Sequence, residues 1–88
     1  MKVIINCENL LQRKQAHEYL AQTLDFPEYY GKNLDALFDC LTELNDCTIV
    51  LAGEEALPKD SYGARVLRVM KKAVQANSGL KLEAVSEQ

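Results

Sequence analysis

Two aspartates, Asp35 and Asp39, lie four residues apart in the stretch FPEYYGKNLDALFDCL, residues 26–41. In an α-helix this spacing places both carboxylates on one face, where like charges repel by about 0.2–0.5 kcal/mol. Carboxylates accept paired hydrogen bonds from arginine, and tyrosines such as Tyr29 and Tyr30 are frequent at the energetic centres of protein interfaces. From spacing alone a solvated polar face is the ordinary interpretation, and a binding surface for a cationic partner is the functional alternative.

Negative charge is concentrated around these aspartates, although the net charge of the whole chain is only −3. Lys32 is the single base in residues 25–46, against the acids Asp25, Glu28, Asp35, Asp39, Glu43 and Asp46. Such a local excess attracts cationic partners and repels phosphates. We expect the binding patch to comprise Asp35, Asp39, Thr42 and Glu43, bordered by Tyr29, Tyr30 and Phe38. Spacing alone favours Phe38 at the core edge and one of the two tyrosines in the core.

No pattern of a catalytic or metal centre accompanies the aspartates. His17 is the single histidine, and without a partner motif it is expected at the surface or half-buried. The cysteines, Cys7, Cys40 and Cys47, lack the C-x-x-C spacing of zinc sites and are expected to be free, buried thiols, with a Cys40–Cys47 bridge as the alternative. EF-hand and zincin spacings are absent too. We therefore expect no enzyme, no metal, no cofactor and no small-molecule substrate.

Length and composition predict one globular domain over residues 1–88. The chain has 88 residues, of which 48% are hydrophobic, an ordinary value for a folded domain. No apolar run approaches the length of a membrane span, and the start MKVIINCENLL lacks the cleavage pattern of a signal peptide. The expected location is therefore the cytoplasm, without a membrane partner.

Hydrophobic periodicity predicts the elements that must position the patch. The predicted strands are a buried strand at 2–6, a second apolar strand at 47–52 and a half-exposed edge strand at 80–85. The predicted helices run from about Arg13 to Leu24, over 34–44 and around 66–74, with a loop at 53–63. The order β-α-α-β-α-β predicts an α/β fold, a small three-stranded parallel sheet packed with helices.

The helix that carries the aspartates has its own start signals. Pro27 ends the preceding helical pattern, Gly31 is suited to a positive φ angle, and Asn33 is suited to cap the new helix. The apolar stripe that follows at core-facing spacing consists of Leu34, Leu37, Leu41 and Leu44. Asp35 and Asp39 are therefore expected to point away from the core.

A second charged surface is predicted on the last helix. Its basic residues are Arg65, Arg68, Lys71 and Lys72. A solvated face is the ordinary interpretation, and contact with nucleic-acid phosphates is the alternative. Because the protein as a whole is acidic, we expect no nucleic-acid partner.

The segment PEYYGKNLDALFDCLTEL, residues 27–44, resembles the signature of the barstar family, intracellular inhibitors of secreted guanyl-specific ribonucleases. The resemblance extends more loosely to Asn6, His17, IVL at 49–51 and GA at 63–64. It implies a bacterial, barstar-like protein that blocks the active site of a barnase-type ribonuclease. The implied partner is therefore a basic ribonuclease of the extracellular type.

The resemblance also implies roles for single residues. Tyr29, Asn33, Asp35 and Asp39 match contact positions, and Gly31 shapes the loop. Asp39 is expected to meet catalytic arginines and a histidine, and Asp35 a base and backbone donors near the guanine site. Tyr29 is expected to pack over the catalytic histidine.

Three residues depart from the family pattern. Phe38 and Leu44 stand where the best-known member has indole side chains, and Lys72 aligns with an acid of the last helix. A lysine there would repel a cationic cleft. These departures keep open a barstar-like interaction module that binds a different basic protein.

Overall fold

The computed structural model describes residues 1–85 and contains one parallel sheet with strand order β1-β2-β3. The strands are β1 (Lys2–Asn6), β2 (Cys47–Ala52) and β3 (Leu80–Ala84). The α-helices are α1 (Arg13–Leu24), α2 (Leu34–Thr42) and α3 (Tyr62–Ala76), with 3-10 turns at Cys7–Leu10 and Glu54–Ala56. The predicted α/β class and element order are confirmed. Residues 86–88 of the predicted single domain lie outside the described residues.

Strand β1 is an edge strand, so its prediction as a buried strand is wrong. Only Ile5 of this strand is buried, and it pairs with Leu51 of the central strand. Its neighbour Ile4 points to the opposite face of the sheet and is 60% exposed. A short run of apolar residues shows no alternation, so the sequence cannot tell a strand with one face covered from a strand with both faces covered. This explains the error.

The three helices pack their apolar sides into one core with the sheet. Burying an aliphatic side chain completely contributes about 1.5–3 kcal/mol, and the core contains many such residues. Its fully buried members include Ile5, Leu20, Leu37, Leu41, Ile49, Leu51, Val66 and Met70. The predicted apolar stripe of α2 is confirmed at Leu37 and Leu41, which are buried. The opposite side of the helix therefore faces solvent.

The end of α2 is held by a residue far along the chain. The side-chain amide of Asn77, at the end of α3, donates to the carbonyl oxygens of Leu41 at 3.0 Å and Leu44 at 2.7 Å. Its Oδ1 accepts from the N–H of Gly79 at 3.0 Å. Leu41 lies in the last turn of α2 and Leu44 two residues beyond its end, so Asn77 ties both the end of the helix and the turn that follows it to the end of α3.

No helix among residues 1–85 is both long enough and apolar enough to cross a membrane.

Candidate functional site

Helix α2 begins where the sequence predicts, because Asn33 caps it. The Oδ1 atom of Asn33 accepts a hydrogen bond from the N–H of Ala36 at 2.8 Å, the bond typical of an N-cap. This leaves Asp35 in the first turn, where the helix dipole favours a negative charge. The cap therefore fixes both the start of the helix and the place of its first carboxylate.

The loop before α2, residues 25–33, owes its shape to two left-handed residues and a close approach. Asp25 and Lys32 adopt φ angles of 56° and 53°. Gly31, expected to have a positive φ, does not, so that expectation is wrong. Its lack of a side chain matters for space instead, because a Cβ atom there would lie 3.3 Å from the Cβ of Ala36.

The exposed side of α2 and its C-cap residue carry three carboxylates at four-residue spacing, Asp35, Asp39 and Glu43, which we call the acidic ridge. All three are exposed. Thr42, beside them, is half-buried and donates its hydroxyl to the carbonyl oxygen of Asp39 at 2.8 Å. Its hydroxyl proton is therefore engaged with the helix backbone.

No internal ion pair neutralises the acidic ridge in the described part of the chain. The two ion pairs among residues 1–85 join Lys2 to Glu83 at 4.0 Å and Lys71 to Glu54 at 3.5 Å. Neither pair involves an acid of residues 25–46. The carboxylate oxygens of the ridge are therefore open to water and to a partner's donors.

Tyr29 stands beside the acidic ridge and is 87% exposed. It lines a shallow cleft of about 270 Å³ together with Gly31, Asp39 and Glu43. Large aromatic side chains usually bury much of their surface in a folded protein. An aromatic ring this exposed, next to unpaired carboxylates, has the make-up of a protein contact surface.

Tyr30, which we placed on the binding patch, is in the core instead, with 6% of its surface exposed. Its hydroxyl bonds to Nδ1 of His17 at 2.6 Å, and its ring lies 4.9 Å from that of Phe26, centroid to centroid. Phe38 is half-buried and packs against the core. Of the two neighbouring tyrosines, Tyr30 fills the interior and Tyr29 faces solvent.

His17 is fully buried, so its expected place at or near the surface is wrong. Its Nδ1 bonds to Tyr30 and its Nε2 to the hydroxyl of Tyr62 at 2.5 Å. A neutral imidazole has one donor and one acceptor, so one tyrosine accepts from the ring and the other donates to it. Desolvation, and then the charge of Arg13, lowers the pKa of His17 below its usual 6.5.

The three cysteines are free thiols, as expected, and no Cys40–Cys47 bridge forms. Cys7 and Cys47 are buried and Cys40 is half-buried. Burial, with smaller contributions from Glu54 and Glu55, raises the pKa of Cys7 to about 11. Among residues 1–85, no group of three or more histidine, cysteine or acidic side chains is placed to hold a metal ion.

Buried hydrogen-bonded groups were the part of this region that sequence reasoning missed. Tyr30 and Tyr62 lie 13 and 45 residues from His17 along the chain. No local spacing connects residues that far apart. The one available signal was the presence of a single histidine within an apolar helical pattern.

Comparison with known proteins places the chain in a family. The family model described as Barstar (barnase inhibitor) matches residues 1–86. A protein of Bacillus subtilis (strain 168), named "Putative ribonuclease inhibitor YrdF", is 42% identical over 76 residues, which cover 82% of this chain and 84% of that protein. The match to the family model spans both the loop and the acidic helix. This chain therefore belongs to the barstar family.

Proposed function

We propose that this protein inhibits a barnase-type, guanyl-specific ribonuclease by placing the loop of residues 25–33 and helix α2 in the enzyme's active site. The observation that carries the proposal is the exposure of Asp35, Asp39 and Glu43 without an internal ion pair. In a member of the barstar family, such a surface fits an enzyme whose cleft is built to hold phosphates. The protein performs no chemistry of its own in this role.

The physical basis is imitation of RNA charge. A ribonuclease active site presents cationic and hydrogen-bond donor groups to phosphate oxygens, and carboxylates accept the same bonds. Asp39 would meet catalytic arginines and a histidine, and Asp35 a base near the guanine site. The repulsion between the two aspartates, about 0.2–0.5 kcal/mol, is offset when cations of the enzyme lie between and around them.

The loop is held in place before the partner arrives. Tyr30 is bonded to His17 in the core. Tyr29 and Gly31 are its neighbours in the chain, so their backbone is anchored on one side. Ordering side chains and loops at an interface costs binding free energy. Because this loop is already tied to the core, that cost is reduced, and Tyr29 is presented in position to pack over the enzyme's catalytic histidine.

The test is titration of the protein into a panel of secreted guanyl-specific ribonucleases that includes barnase, with RNA cleavage as the readout. We expect stoichiometric loss of cleavage for at least one enzyme. Asp39→Ala should weaken inhibition strongly. Asp60→Ala, which removes the same charge from an exposed turn outside the patch, should inhibit like the wild type. Full cleavage by every enzyme at micromolar protein would reject the proposal.

A second candidate is an interaction module with a different basic partner. It is favoured by Phe38, which is half-buried, and Lys72, which is exposed: Phe38 stands where the best-known family member has an indole, and Lys72 aligns with an acid. The discriminating result is a basic ligand without nuclease activity whose binding is abolished by Asp39→Ala. In either case the expected setting is the bacterial cytoplasm.

A further inference from the structure

A second cleft, also about 270 Å³, opens between the first turns of the three α-helices. Arg13 is the first residue of α1, and Arg65 lies in the first turn of α3. Asp35, Asn33 and Tyr62 complete its wall. We call it the arginine cleft. Through Asp35 it is continuous with the acidic ridge.

The positive charges of the arginine cleft are not neutralised within the described residues. Arg13 and Arg65 are exposed, and neither takes part in the ion pairs of residues 1–85. Asp35 lines the same cleft without reaching salt-bridge distance of either guanidinium. The cleft therefore holds two cations and one anion, a net charge of +1, inside an otherwise acidic face.

Local structure strengthens this positive field. Neither α1 nor α3 has an acidic side chain in its first turn, so no acid within those turns offsets the positive ends of the helix dipoles. Both guanidinium charges also act on the hydroxyl of Tyr62, although burial keeps the pKa of Tyr62 above its ordinary value. The two arginines, from separate helices, therefore line one cleft together with Tyr62.

We propose that the arginine cleft receives an acidic side chain of the partner ribonuclease. This inference rests on the proposed function, because it concerns the same face of the protein. The binding face is then bipolar: carboxylates of the acidic ridge meet the enzyme's cations, and Arg13 and Arg65 meet a carboxylate at the rim of its active site. Arginine suits this task because its planar fork matches the two oxygens of a carboxylate.

The acidic ridge selects a protein carboxylate over an RNA phosphate as the occupant. An RNA strand carries a negative charge at every nucleotide, so a strand entering the cleft would bring further phosphates against Asp35, Asp39 and Glu43. Like charges brought together in this way repel. A folded protein, by contrast, can present one carboxylate among several cationic groups. That arrangement of charges is complementary to two arginines beside an acidic ridge.

The test measures dissociation of the complex with the most tightly inhibited ribonuclease of the panel. The variants are Arg13→Glu and Arg65→Glu, with Lys14→Glu and Arg68→Glu as controls. Each control reverses the same charge on the same helix, is exposed, and lies outside the arginine cleft. Circular dichroism and urea unfolding would show that all four variants fold.

Charge reversal at any exposed site changes association through long-range steering, whereas loss of a close charge pair accelerates dissociation. We expect the dissociation rate to rise at least about tenfold for the two cleft variants and by less than about twofold for the controls. In a panel of charge reversals at acidic rim residues of the enzyme, one should restore slow dissociation with Arg65→Glu.

Equal dissociation rates for cleft and control variants, with inhibition by the wild type intact, would reject this inference alone. No inhibition by the wild type would reject it together with the proposed function. Fluorescence anisotropy with labelled single-stranded RNA tests the alternative that the arginine cleft binds an RNA phosphate. RNA binding at low salt that disappears in both cleft variants would overturn the inference in favour of a phosphate site.

Discussion

Replacing Tyr30 by phenylalanine removes one hydroxyl from the buried His17 network and keeps the shape of the ring. The lost hydrogen bond joins Tyr30 to Nδ1 of His17 at 2.6 Å, and both residues are buried. Whichever tautomer the imidazole adopts, Nδ1 is left without that partner. An unsatisfied buried polar group costs about 1–3 kcal/mol, so we expect the free energy of unfolding to fall by about that amount.

Urea unfolding and thermal melting both measure this loss. For a domain of this size each kcal/mol lowers the melting temperature by about 4–8 °C. The matched control is Tyr29→Phe, the same substitution at the neighbouring position, where the side chain is 87% exposed. A surface change of this kind alters stability by less than about 0.5 kcal/mol. If the two variants unfold at the same urea concentration, the His17 network does not stabilise the fold and the reasoning fails.

Three further predictions concern pH, the helix cap and salt. The lowered pKa of His17 means that the unfolded chain takes up a proton first, so this group's contribution to stability is present above about pH 6.5 and is lost as pH falls towards the folded-state pKa; urea unfolding at pH 7.5 and 5 should show a larger loss of stability in wild type than in His17→Gln, and an equal or smaller loss in wild type would contradict it. Asn33→Ala should lower the free energy of unfolding by about 0.5–2 kcal/mol in the same assay, because α2 loses its cap. An unchanged free energy of unfolding would show that the bond to Ala36 does not stabilise the fold. Raising salt should slow association with the ribonuclease and leave dissociation nearly unchanged in stopped-flow fluorescence; a salt-independent association rate would contradict steering by the acidic ridge.

The sequence predicted the parts of this protein that local rules control. Helix α2, its cap at Asn33 and its buried leucines follow from residues within a few positions of one another, and the structure has them as expected. The order of strands and helices follows from periodicity in the same way. These features depend on nearest neighbours along the chain, which a single sequence displays directly.

Most of the errors have a different cause, since they depend on contacts between distant segments. His17 is buried because Tyr30 and Tyr62 close over it, and Ile4 is exposed because the helices pack on the other face of the sheet. Gly31 was given a positive φ that Lys32 adopts instead. The arginine cleft was missed because Arg13 and Arg65 meet only in the folded chain.

The bonds from Asn77 to the carbonyls of Leu41 and Leu44 place part of the acidic helix under the control of a turn near the end of the chain. A substitution at Asn77 would remove both bonds and loosen the last turn of α2 and the residues after it, which moves Glu43 although Asn77 is remote from it in sequence. A mutational screen scored on inhibition would therefore recover position 77 among its hits. Such a hit would not mean that Asn77 contacts the enzyme, and counting it as a contact would overestimate the size of the interface.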